Sequence, residues 1–158
     1  MTPRADIVIR RARLSDVPRI LELYAEDPLS LHPPRPSERA AYESAFASIE
    51  ADPRTAIYVA MRDTVVLGTF QSTVLQHLTH GGARVVQIEA VVVSAREQGR
   101  GVGTCMMQWA LEDARAKGCT RAQLTSQKRR ESAHRFYERL GFVGTHEGMK
   151  MDLTSSPA

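Results

Sequence analysis

The chain has 158 residues, 42% of them hydrophobic and 25% charged, with a formal net charge of +3. That length fits one compact domain burying about two thirds of its unfolded surface without disulfide or metal support. The absence of a bilayer-spanning apolar run and of a secretory leader argues against a membrane protein and points to the cytoplasm, with Cys105 and Cys119 reduced. The small net charge, without interleaved basic and aromatic residues, argues against nucleic acid as a partner.

In chain order, residues 7–11 read as a short strand, and Ser15 or Asp16 can cap a helix running to about Tyr24, with Pro18 tolerated in its first turn. Residues 27–36 contain four prolines and read as a loop. Ser37 then caps a second helix with Ala41, Phe46 and Ile49 on its apolar side. Three β-branched runs, residues 56–62, 65–75 and 84–94, are separated by turn signals at Arg62-Asp63-Thr64 and Gly81-Gly82, and read as an antiparallel meander. Gly103, Met106, Met107, Ala110, Leu111 and Ala114 recur at helical spacing and predict a helix over residues 104–117, closed by Gly118. Residues 121–125 read as a strand, 132–140 as a helix ended by Gly141, and 142–153 as a final strand region interrupted by Gly148. The expected fold is α/β, a mixed and mostly antiparallel sheet flanked by helices. A single domain is expected over residues 1–153, with 154–158 a frayed tail.

The most informative segment joins the third of those β runs to the long helix: Gln98, Gly99, Arg100, Gly101, Val102, Gly103. Three glycines in five positions let an anion approach backbone N–H groups, and the first turn of a helix leaves such groups unpaired at the positive end of the dipole. The spacing is not that of a dinucleotide fingerprint, and no Gly-Lys-Ser/Thr follows as a Walker loop requires. Alone, the pattern leaves open a glycine-rich turn that binds nothing. A second cationic cluster, Lys128, Arg129, Arg130, Arg135 and Arg139, could meet a phosphate-bearing ligand or form a solvated face.

The order Ile88-Glu89-Ala90-Val91-Val92-Val93, then Gln98 to Gly103, then His134-Arg135-Phe136-Tyr137-Glu138-Arg139-Leu140-Gly141-Phe142 resembles the GNAT superfamily of N-acetyltransferases. Its Q/R-x-x-G-x-G/A motif follows the fourth strand, and its A-x-x-F-Y-x-x-x-G-F helix is matched by Ala133 to Phe142. The resemblance implies acetyl-CoA as the donor substrate, without a metal. Its pyrophosphate would lie on Gln98 through Thr104, with Arg100 adding a cation. The pantetheine and thioester would meet the backbone of Val91, Val92 and Val93, where the fourth and fifth strands of relatives splay at a bulge. Many relatives carry an Asn, a habitual cofactor contact, three residues before the motif Ala; here that position departs from the pattern as Arg130, and Arg129 and Arg130 are candidates for the 3′-phosphate of CoA or a solvated face. A homodimer is likewise implied by the resemblance.

Acetyl transfer to an amine builds charge on the carbonyl oxygen, releases a thiolate and needs a neutral amine. Tyr137 is the candidate general acid, since a phenol can protonate the thiolate without adding charge. Tyr137 is also a candidate contact for CoA; the alternative is an aromatic packed beside Phe136. Glu89, an acid on the strand leading to the acyl site, is the candidate base if partial burial raises its proton affinity; the alternative is a strand-edge ion pair. His32, His77 and His80 are candidates for the acceptor pocket or plain surface histidines. Cys105 sits where a thiolate would be favoured, but no triad accompanies it and it reads as structural. No His/Cys/Asp/Glu set has metal spacing. These residues imply transfer from acetyl-CoA to a primary amine of a small molecule by direct attack in a ternary complex, or alternatively a non-catalytic acyl-CoA-binding or regulatory domain on the same fold.

Overall fold

The β-branched runs become five strands in the computed structural model, which describes residues 6–154: β1 (Val8–Arg11), β2 (Thr55–Arg62), β3 (Val65–Gln76), β4 (Arg84–Val93) and β5 (Cys119–Leu124). They form one sheet in sequence order, antiparallel from β1 to β4 and parallel between β4 and β5. Arg62 pairs with Val65 across a two-residue turn in which Asp63 takes a left-handed φ of 52°, a backbone state that Asp tolerates. The parallel step from β4 to β5 needs a crossover, supplied by helix α3 (Val102–Ala116), which follows α1 (Val17–Ala25) and α2 (Arg39–Ala51).

Side chains alternate across the strands, so adjacent residues serve opposite layers. On one face Val59 and Val66 pack with Ala12, Val17, Ile20, Leu23 and Phe46 beneath α1 and α2. On the other, Tyr58 and Phe70 stack at 5.2 Å and both meet Trp109 of α3, while Val102, Met106 and Met107 are completely buried. Gly68 of β3 permits this closeness, because a Cβ there would lie 2.7 Å from Met106 Sδ and 2.9 Å from the Val92 carbonyl oxygen. Asp16 precedes α1 as expected of a cap, but its carboxylate takes Arg10 at 2.7 and 2.9 Å and the Arg13 N–H at 2.7 Å. Those bonds, Arg10 foremost, hold its pKa below the usual carboxylate range. Ser37 lies inside a 3-10 turn, Pro36–Glu38, and α2 begins only at Arg39.

The chain divides into two compact units after Leu124. The second unit holds helix α4 (Glu131–Arg139), which ends at a left-handed Gly141 with φ 93°. The expected final strand over residues 142–153 is not formed: no strand occurs there among the described residues. Met149-Lys150-Met151-Asp152-Leu153 alternates as a strand would, yet Met149, Met151 and Leu153 are 95%, 83% and 87% exposed, so the pattern has neither a covered face nor a ladder. Of the expected frayed tail, residues 155–158 lie outside the described residues.

Gly68→Ala is expected to destabilise the fold by about 1–3 kcal/mol through overpacking against Met106 and the β4 backbone. Urea unfolding checks this; a midpoint equal to that of the parent chain contradicts it.

Candidate active site

The site begins where β4 loses a neighbour. β5 pairs with β4 only from Arg84 to Ile88, whose partner Leu124 is the last residue of β5. The following stretch, residues 89–93, keeps β3 on one side and has no strand partner on the other among the described residues. Gln71 pairs with Glu89 and Thr69 with Val92, so Ala90 and Val91 together face Phe70 as a bulge. Ala90 adopts φ 50°, a left-handed state costing a non-glycine residue about 1 kcal/mol or more. Val91, Val92 and Val93 are half-buried, and Val92 packs on the α1–α2 cluster while the strand edge beside it stays free of β5.

Glu89 lies just before the bulge, on the sheet face it shares with Gln71 and Ile57, towards α1 and α2. It is exposed, so the partial burial expected of it is not found.

Beyond β4 the chain turns through a 3-10 segment (Ala95–Glu97) into the glycine run. Gly99 takes φ 72°, and Gly101, at φ 84°, is the N-cap of α3. The first helical bond runs from the Cys105 N–H to the Gly101 carbonyl at 3.0 Å, which leaves the N–H groups of Val102, Gly103 and Thr104 ahead of the helical ladder. A Cβ at Gly99 would meet nothing within 4 Å, so its glycine serves the backbone state and the open approach. Open space, left-handed glycines and unladdered N–H groups fit an anionic phosphate group.

Three residues that local patterns do not reveal, Glu26, Arg62 and Glu97, hold this turn. Glu26, at the end of α1, accepts the Ala95 N–H at 2.8 Å; that bond first, helped by Ser94 and Arg19, holds its carboxyl below the ordinary range. Arg62, at the end of β2, donates to Glu97 Oε2 at 3.1 Å and to Asp6 at 2.7 Å. Gln98 donates its side-chain amide to the Val93 carbonyl at 3.3 Å, closing the turn on β4, and exposed Arg100 stands 3.7 Å from Glu97. Glu26 and Ala95, and Arg62 and Glu97, are far apart in sequence, so no spacing announces them.

In the second unit Tyr137 is partly buried against Phe136 and Phe142, at ring separations of 5.1 and 5.9 Å. Burial raises its phenol pKa, against a smaller lowering by Arg130. Arg130 precedes α4, and its carbonyl accepts the His134 N–H at 3.0 Å. Within the late cationic cluster, exposed Lys128 pairs with Glu147 at 3.6 Å and Arg135 with Glu131 at 3.7 Å.

The remaining candidates scatter. His77 and His80 belong to the turn entering β4 at Arg84, the end opposite the glycine run, and His32 is exposed in the loop after α1. Burial pushes the Cys105 thiol up rather than towards a thiolate. Among the described residues no group of three or more His, Cys, Asp and Glu side chains could hold a metal ion, and no helix is long and apolar enough to cross a membrane.

The model of the acetyltransferase (GNAT) family matches residues 17–142, a span running through the bulged strand, the glycine turn and α4. The chain belongs to this family. The GNAT chain is 31% identical over 106 residues to the aminoalkylphosphonate N-acetyltransferase of Salmonella typhimurium, covering 67% of itself and 68% of that protein. It is 30% identical over 153 residues to the glucosamine 6-phosphate N-acetyltransferase of Trypanosoma brucei brucei, covering 97% of itself and 100% of the relative. Among solved structures, a transcriptional regulator from Bacillus halodurans superposes with a TM-score of 0.85 at 34% identity, over 93% of this chain and 99% of the other. As a member of this family the protein is an acyltransferase.

A phenol whose folded pKa is raised binds its proton more tightly when folded, so it stays protonated through the ordinary range near about 10 and deprotonates above it. The difference in phenolate absorbance between the parent chain and Tyr137→Phe is therefore expected to titrate with a midpoint above 10. A midpoint at or below 10 contradicts this.

Proposed function

We propose that this GNAT protein transfers the acetyl group of acetyl-CoA to a primary amine of a small molecule by direct attack in a ternary complex. The observation that carries this is the juxtaposition, at one end of β4, of a strand edge freed after Ile88 and a glycine-capped helix N-terminus. Backbone N–H groups of Val91, Val92 and Val93 receive the pantetheine arm and the developing oxyanion. Gln98, Gly99, Arg100, Gly101, Val102, Gly103 and Thr104 receive the pyrophosphate, with Arg130 as a further cofactor contact. A family match that runs across the boundary between the two units supports a single domain over residues 1–153.

Glu89 is the base that leaves the amine neutral; its exposure favours relay through water. Tyr137 donates its proton to the departing thiolate, a phenol being protonated at neutral pH. The relatives named for aminoalkylphosphonate and glucosamine 6-phosphate both point to an amine carried with a phosphorus oxyanion, which supports a small anionic amine as acceptor. Free thiols at Cys105 and Cys119 agree with a cytoplasmic setting. Exposed Val143, Met149, Met151 and Leu153 support a homodimer that covers them. The name of the Bacillus halodurans relative favours one second reading, a regulatory acyl-CoA-binding domain without turnover.

Thiol release from acetyl-CoA, with 2-aminoethylphosphonate and glucosamine 6-phosphate as acceptors, tests the reaction. Tyr137→Phe is expected to lower kcat about a hundredfold, and Gly101→Val to raise the KM for acetyl-CoA. Unchanged kinetics in both variants contradict the mechanism, and tight CoA binding without turnover on any amine favours the regulatory reading.

A further inference from the structure

The glycine turn is tied at its own start by the Gln98 amide on the Val93 carbonyl at 3.3 Å. Its Gly99 has left-handed backbone and open space around the missing Cβ. On the helix side Val102 is fully buried and anchors the run. On the strand side Glu26 holds the Ala95 N–H, and a further tie lies just before Gln98, where the Glu97 side chain is only 15% exposed. Glu97 Oε2 accepts from Arg62 Nη1 at 3.1 Å across 35 positions of sequence. Arg62 is itself set by the last pair of the β2–β3 hairpin and by Asp6 at 2.7 Å, and its Nη2 is buried without a partner among the described residues. The guanidinium is therefore held between Asp6 and Glu97.

We infer that Arg62 and Glu97 are positioning residues for the cofactor: their ion pair ties the upstream end of the glycine turn to the rigid β2–β3 hairpin and so fixes where the turn presents its N–H groups. This rests on the reading of that turn as the pyrophosphate site. The chemistry makes the role separable from simple charge. Glu97 is an anion next to a site for anions, so on electrostatic grounds alone its removal should tighten cofactor binding. If it serves as an anchor, its removal loosens binding in spite of the relieved repulsion. Gln at this position still offers an oxygen to Arg62 and so keeps part of the anchor, whereas Ala keeps none.

Titration calorimetry of CoA into the full chain and its variants tests this. Glu97→Ala is expected to weaken CoA binding about tenfold, Glu97→Gln by less, and Arg62→Met by about as much as Glu97→Ala. In turnover, the KM for acetyl-CoA rises correspondingly with kcat within about twofold, while the KM for S-acetylpantetheine, which lacks the pyrophosphate, stays put. Should Arg62→Met not fold, the two Glu97 variants decide alone. Unchanged or tighter CoA binding in both Glu97 variants overturns the anchor while leaving the cofactor site standing. A parent chain that binds no CoA overturns the site and the anchor together.

Discussion

The site depends on β4 having two different neighbours along its length. Up to Ile88 it is an interior strand, laddered to β3 and β5; from Glu89 it keeps β3 alone, and the bulge at Ala90 and Val91 re-aims its backbone where the partnership changes. A strand edge inside a packed sheet is ordinarily a liability, because unpaired N–H and C=O groups demand partners. In the proposed reading the pantetheine arm of acetyl-CoA, which carries its own amide and carbonyl groups, would meet that demand. The left-handed backbone at Ala90 has a cost, and it is sustained by the complete burial of Phe70 and Thr69 opposite.

The rest of the first unit holds that strand end in place from several directions. α1 contributes Leu23 and Ile20 to the core and Glu26 to the Ala95 N–H, so one helix both packs the sheet and fixes the turn. β2 does the same, with Val59 in one layer, Tyr58 in the other and Arg62 at Glu97. α3 is brought close by the missing side chain of Gly68 and then presents its N-terminus beside the end of β4. The packing around Gly68 and the ion pair at Arg62 therefore bear on the same end of β4 and the same turn.

What was legible in the sequence was what is encoded locally. The glycine run, the α3 stripe with its buried Met106 and Met107, and the meander of β2, β3 and β4 appear where their residue patterns put them. The bulge was not legible as geometry: alanine at φ 50° carries no sequence signal, since the conformation is imposed by pairing with β3. Arg62, Glu26 and Glu97 were missed because their meaning lies in partners distant along the chain. The alternating residues 149–153 misled for the same reason, since alternation proposes a strand and only a partner makes one. Glu89 was found by its isolation among apolar residues, but its exposure depends on the sheet face it shares with Gln71.

Amide hydrogen exchange with and without CoA tests the joint use of the freed β4 edge and the α3 N-terminus most directly. Slower exchange is expected in two separate segments at once, Val91 to Val93 and Val102 to Thr104, when CoA binds. CoA binding that leaves both segments exchanging as they do in the free protein would contradict it.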